Sequence, residues 1–179
     1  MNRTFLGGAL ALALTLAAAG CKREQKAVHV QQPEEELAPR LASAVSMADP
    51  KLEPQLLSGF YGIEGNAWRW TAKKFSVALR TPANAAQNGA TLNLSLSIPQ
   101  VVVDKLKSVT LSAMAGDSAL APETYSKSDQ YIYKRDVPPA ALKRGSVRID
   151  FTLDKAIPPS GADLRELGII VSNVTLEPK

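Results

Sequence analysis

The chain has 179 residues, 45% hydrophobic and 21% charged, with one cysteine, one histidine and a formal net charge of +4. That length suits one domain with additions, and 21 Lys and Arg against 17 Asp and Glu is too slight an excess for a nucleic-acid binder. A single cysteine excludes an internal disulfide, and a single histidine excludes a His-rich metal site and most catalytic templates.

In chain order, Arg3 supplies a positive start and Phe5 to Leu16 an apolar stretch, shorter than the about 20 residues that span a bilayer. Residues 1–20 therefore read as a signal peptide. The segment ends Leu16-Ala17-Ala18-Ala19-Gly20-Cys21, small residues directly before the cysteine. This resembles the bacterial lipoprotein signal and its lipobox, with Ala18 where leucine is usual. The resemblance implies that Cys21 becomes the first mature residue and carries a thioether-linked diacylglycerol. Acyl chains contribute about 0.8 kcal/mol per buried methylene, so two or three of them anchor a protein without a spanning helix. Lys22 rather than aspartate at the second mature position implies passage to the outer membrane, and Lys22, Arg23 and Lys26 can meet anionic headgroups. The alternative is cleavage after an Ala-X-Ala pattern, releasing a soluble protein with a free Cys21.

Residues 21–55 read as the lipidated cysteine and a tether. They hold Pro33, Pro39, Pro50 and Pro54 and the acidic run Glu34-Glu35-Glu36, with no aromatic residue. Leu37, Leu41 and Val45 at four-residue spacing predict a short helix from Pro39 to Met47. His29 sits in the tether as a solvated side chain.

Residues 56–179 form the domain, where the periodicity changes to two and where the basic excess lies. Phe75, Val77 and Leu79 alternate with polar or small residues, as do Leu92, Leu94, Leu96 and Ile98, and Val147, Ile149, Phe151 and Leu153. Further strands are predicted at Ala67 to Thr71, Ser108 to Ala113, Gln130 to Arg135 and Leu167 to Leu176, the last broken near Ser172. Turn signals separate them at Gln87-Asn88-Gly89, Ala115-Gly116-Asp117 and Pro158-Pro159-Ser160-Gly161, and Val137 to Leu142 holds at most one helical turn. About seven strands with no long helix between them predict an all-β fold, an antiparallel β-sandwich of jelly-roll or immunoglobulin-like type.

Phe60, Tyr61, Trp68 and Trp70 fall in one short stretch, Gly59 to Thr71. Strand alternation puts both tryptophans on one face and Arg69 on the other. The stretch Gly59 to Trp70, with the later Asp163-Leu164-Arg165-Glu166-Leu167-Gly168, resembles the opening and closing motifs of a β-sandwich module of bacterial cell-surface proteins, some linked to glycosyltransferases and polysaccharide assembly. The resemblance covers roughly residues 56–177 and implies a cell-envelope carbohydrate setting.

Two readings of the aromatic cluster stand side by side. Trp68 and Trp70 fill the core, or Tyr61, Trp68 and their neighbours form a platform that stacks on sugar rings, with Glu64, Arg69 and Arg165 reading hydroxyls or anionic groups. The candidate ligand residues are thus Tyr61, Glu64, Trp68, Arg69, Trp70 and Arg165. The charged members can instead form an Arg-carboxylate network with Asp163 and Glu166, and a glycosidase pair of Glu64 and Asp163 is the remote alternative. No phosphate loop and no metal-ligand spacing occurs, so no cofactor and no metal is expected. The expected protein is a non-enzymatic, lipid-anchored envelope module whose partners are the membrane and either an envelope polysaccharide or an envelope protein.

Overall fold

The computed structural model describes residues 41–179; the expected signal peptide, Cys21, His29 and the tether as far as residue 40 lie outside them. Nine strands alternate with short helices: β1 (Ala44–Ser46), β2 (Leu56–Glu64), β3 (Trp68–Arg80), α1 (Ala85–Asn88), β4 (Ala90–Ile98), α2 (Gln100–Leu106), β5 (Val109–Ala115), β6 (Ser118–Tyr125), β7 (Asp129–Val137), β8 (Ser146–Leu153) and β9 (Ile170–Pro178). Short 3-10 segments occupy Pro50–Gln55 and Pro139–Leu142.

All the strand pairings are antiparallel, in the order β6-β5-β8-β3-β9-β4-β7, with β2 added to β3 and β1 to β9. The long strand β3 joins the two layers. Its second half, Lys74 to Arg80, pairs with β8, and its first half, at Arg69 and Trp70, pairs with β9. The result is an antiparallel β-sandwich.

The three strictly alternating segments all lie in strands, and their apolar sets face the core. Leu92, Leu94, Leu96 and Ile98 of β4 are buried, as are Phe75, Val77 and Leu79 of β3 and Val147, Ile149, Phe151 and Leu153 of β8. Each such Leu, Ile or Phe contributes about 1.5–3 kcal/mol by leaving water. Phe75 stacks on Phe151 at 4.8 Å between centroids and receives the edge of Phe60 at 5.3 Å.

The last strand carries a bulge. The pairing of β4 with β9 shifts between Ser95↔Asn173 and Leu96↔Val171, so Ser172 is the extra residue at the place where the sequence suggests a break. The weaker strand at Ala67 to Thr71 is the start of β3 rather than a separate element.

Three expectations are corrected. The segment Pro39 to Met47 holds no helix among its described residues; Ala44–Ser46 is a strand paired with Asn173 to Thr175, because sheet hydrogen bonds and burial of Val45 and Met47 outweigh a single apolar row at helical spacing. The folded body therefore starts well before residue 56. Gln55 is 4% exposed and ties residue 42 in, accepting from the Ala42 N–H at 2.7 Å and donating to the carbonyls of Ala42 and Ala78. Finally, β2, β6 and α2 appear where no element is predicted. Glycine and bulges break the alternation of β2, Pro122 interrupts β6, and the run Val101-Val102-Val103 favours strand locally although it helps form α2.

One glycine in each of the aromatic and acidic motifs, Gly59 and Gly168, has the same steric origin. Gly59 has φ +74°, and a Cβ there would lie 2.0 Å from the Lys74 carbonyl oxygen. At Gly168 a Cβ would lie 2.8 Å from the Ala72 carbonyl oxygen and 2.6 Å from Leu153 Cδ1. Both motifs press their backbones onto β3.

Candidate functional site

Directly opposed residues in a sheet project from the same face, so register places side chains that lie far apart in sequence. Gln130 of β7 opposes Ser97 of β4, Ser97 opposes Ile170 of β9, and Ile170 opposes Trp70 of β3. This row crosses four strands, about 14 Å at the usual strand spacing. Beside it run Ile132 and Ser95, also paired, and Trp68 stands two residues from Trp70 on the same face.

Apart from Trp70, these residues line a trough of about 580 Å³ on the outer face of the β7-β4-β9 layer, walled by Trp68, Ile132, Ile170 and Gln130 and floored by Ser95 and Ser97. Every lining side chain is uncharged. Ile132 is 63% exposed, Trp68 is half-buried, and the Trp68 ring meets Trp70 edge-on at 6.4 Å. The serines are there because β4 alternates: its leucines fill the core and its small polar residues are left outside. Tyr131 borders the trough in sequence only: it opposes the buried Leu96, so its ring turns to the inner face and packs on Tyr125 at 4.7 Å, with its hydroxyl donating to the Lys127 carbonyl at 3.1 Å.

Of the sequence-derived candidates, only Trp68 lines the trough. Trp70 is 8% exposed and packs with the core cluster, so it supports Trp68 from below. Arg69 is 3% exposed: its guanidinium donates to the carbonyls of Met47 and Tyr61 at 3.2 and 3.0 Å, and Glu53 stands 3.6 Å away. Burial thus removes Arg69 and Trp70 from the ligand surface. Both tryptophans share a face and Arg69 takes the other, as strand alternation requires.

Tyr61, Glu64 and Arg165 meet in a second cluster. Arg165 grips Asp163 through Nε and Nη2 at 3.0 and 2.9 Å, reaches Glu64 Oε1 at 2.7 Å through Nη1, and lies 5.3 Å from the centre of the Tyr61 ring. The Tyr61 hydroxyl donates to the Glu166 carbonyl at 2.8 Å, and the Glu166 carboxylate accepts the Lys73 backbone N–H at 2.9 Å. Motif residues around 61–73 are thereby tied to those around 163–166. Arg69 touches this network only at the Tyr61 carbonyl and meets none of its carboxylates.

The chemistry available to the cluster follows from its hydrogen bonds. Those from Arg165, first from its side chain and then from its backbone, hold the Asp163 carboxyl down at about 2. A group so acidic is ionised at neutral pH and does not itself serve as a general acid. Among the described residues no group of His, Cys, Asp and Glu is arranged to hold a metal ion.

The trough residues Ser95, Ser97, Gln130, Ile132 and Ile170 come from strands whose sequences show only ordinary alternation. Their one local signal is the run of serines between the leucines of β4, which marks a wet face without marking a site.

The chain matches no protein-family model and no curated protein. Among solved structures it is similar to part of BtGH115A, a family GH115 4-O-methyl-alpha-glucuronidase with specificity for decorated arabinogalactans, at 12% identity and TM-score 0.47, over 79% of this chain and 18% of that one. It is also similar to the CBM36-1 domain of a multidomain xylanase from the hindgut metagenome of Trinervitermes trinervoides, at 12% identity and TM-score 0.43, over 76% and 96% of the two chains. A third likeness is to the M60 catalytic domain with its CBM51-1 and CBM51-2 domains from Clostridium perfringens ZmpB, at 13% identity and TM-score 0.34, over 61% and 10%. TM-scores this low carry nothing about ligand or chemistry to this chain.

Proposed function

We propose that this is a non-catalytic envelope protein, lipid-anchored through Cys21, whose β-sandwich binds a neutral carbohydrate chain in the trough beside Trp68. The observation that carries the ligand reading is the lining itself. An aromatic wall and exposed aliphatic carbon stand beside serine hydroxyls and a glutamine amide, and no charged side chain joins them. Sugar rings have apolar faces of C–H groups that stack on indole and edges of hydroxyls that exchange hydrogen bonds with Ser and Gln. A row about 14 Å long suits an oligosaccharide of a few units. The anchor reading rests on the sequence pattern before Cys21, and the outer-membrane destination on Lys22.

Calorimetric titration of the protein with neutral envelope oligosaccharides tests the ligand reading. Binding is expected, with quenching or shift of tryptophan fluorescence. Trp68→Ala should weaken it by about tenfold or more. Ile132→Lys, at a side chain too exposed to matter for folding, should weaken it as well. Absence of heat and of any fluorescence change with all the glycans would leave a protein-interaction role in its place.

A further inference from the structure

The trough and the point where the chain enters the fold lie at opposite ends of β3. Trp68 begins that strand and Arg80 ends it, at most about 40 Å of strand apart, and the shorter path between the two ends runs along β1, from Ala42 beside Arg80 to Met47, whose N–H donates to the Ser172 carbonyl at the trough's edge. At the Arg80 end, the Arg80 backbone N–H donates to the Ala42 carbonyl at 3.0 Å, and the Thr81 N–H donates to the Gly145 carbonyl at 3.0 Å. The incoming segment at residue 42 and the segment Lys143 to Ser146 therefore flank the same strand terminus, about two strand spacings, or 10 Å, apart.

This end is basic. A crevice of about 580 Å³ is lined by Lys143, Arg144 and Arg148, with Asp117 as its one acidic lining residue. Arg148 is bound to Asp150 at 2.7 Å, and nearby Asp136 is bound to Lys179 at 2.8 Å. Arg80, Lys143 and Arg144 are exposed and make no ion pair among the described residues. The trough at the other end has no charged lining.

We propose that the basic end, through Arg80, Lys143 and Arg144, rests on the anionic headgroups of the membrane that holds the protein, turning the trough outward from that surface. The inference depends on the lipid anchor at Cys21. Residue 42, where the chain from Cys21 enters the fold, lies at this end, and exposed cations there favour the orientation that brings them to the surface, because attraction to anionic headgroups acts only within about a Debye length of it.

The full lipidated protein is given one added cysteine, Ala140→Cys beside the crevice or Gln130→Cys at the trough, and labelled with a donor fluorophore; Cys21, blocked by its thioether, stays unlabelled. Energy transfer is read to an acceptor lipid in vesicles of phosphatidylglycerol and phosphatidylcholine, or of phosphatidylcholine alone. Transfer from position 140 should exceed that from position 130 on the anionic vesicles. The difference should collapse on neutral vesicles, at high salt, and in the Lys143→Glu, Arg144→Glu double variant. Equal transfer from both positions on anionic vesicles, with the protein floating with them, overturns the orientation and leaves the anchor intact. A protein that does not float with vesicles overturns the anchor and this inference with it.

Discussion

Three tyrosines separate what a hydroxyl does when it is bonded from what it does when it is not. The Tyr61 hydroxyl donates to the Glu166 carbonyl and the Tyr133 hydroxyl to the Ala121 carbonyl, both at 2.8 Å. That of Tyr125 is buried with no partner among the described residues, and burial pushes its pKa up, with the Glu123 charge adding to the effect. Tyr61→Phe should therefore lose about 1 kcal/mol, while Tyr125→Phe should cost nothing or gain up to about 1 kcal/mol, read by urea unfolding. Asp163 provides a pH test. Its folded pKa of about 2 lies below the ordinary 3.8, so the stability it adds is complete above about pH 4 and is lost as the pH falls toward 2. Arg165→Ala should return its titration toward 3.8, measurable by carboxyl-carbon NMR.

At the level of elements, β6 and β7 stand next to each other at the open seam of the sheet without backbone pairing, and side chains staple them. Arg135 donates from Nε to the Ala121 carbonyl at 2.7 Å and from Nη2 to Glu123 at 2.8 Å, lies over the Tyr133 ring at 4.2 Å, and shares the Ala121 carbonyl with the Tyr133 hydroxyl. Arg135→Ala should raise amide hydrogen exchange along β6 while leaving β4 and β9 protected, because the seam is the part of the sheet held by side chains alone. The β2–β3 ribbon behaves in the opposite way. Gly59→Ala would drive a methyl group into the Lys74 carbonyl in a left-handed backbone, so it should prevent folding or cost several kcal/mol, as judged by circular dichroism and thermal unfolding.

Across the whole molecule, the tryptophan pair links fold and site. Trp70→Ala opens a cavity under the trough and should cost about 3–5 kcal/mol, whereas Trp68→Ala should leave the fold standing and remove the ligand wall. Comparing unfolding midpoints with glycan titrations for the two variants separates these roles. The sequence by itself determined the antiparallel class, the inward leucines of β4 and the break at Ser172, because alternation and turn chemistry act over a few residues. It also brought out the two motifs that enclose β3, where Gly59 and Gly168 are required by close backbone approach. The closing of those motifs on each other through Tyr61, Glu64, Asp163 and Arg165 was only suggested, since spacing within a motif does not say which distant carboxylate an arginine meets. Only the tertiary structure decided that Arg69 and Trp70 are buried, that residues 42–47 belong to the folded body, and that Ser97, Gln130 and Ile170 share a trough with Trp68. Each of these depends on register between strands far apart in the chain, and register is set by how whole faces pack rather than by any local run of residues.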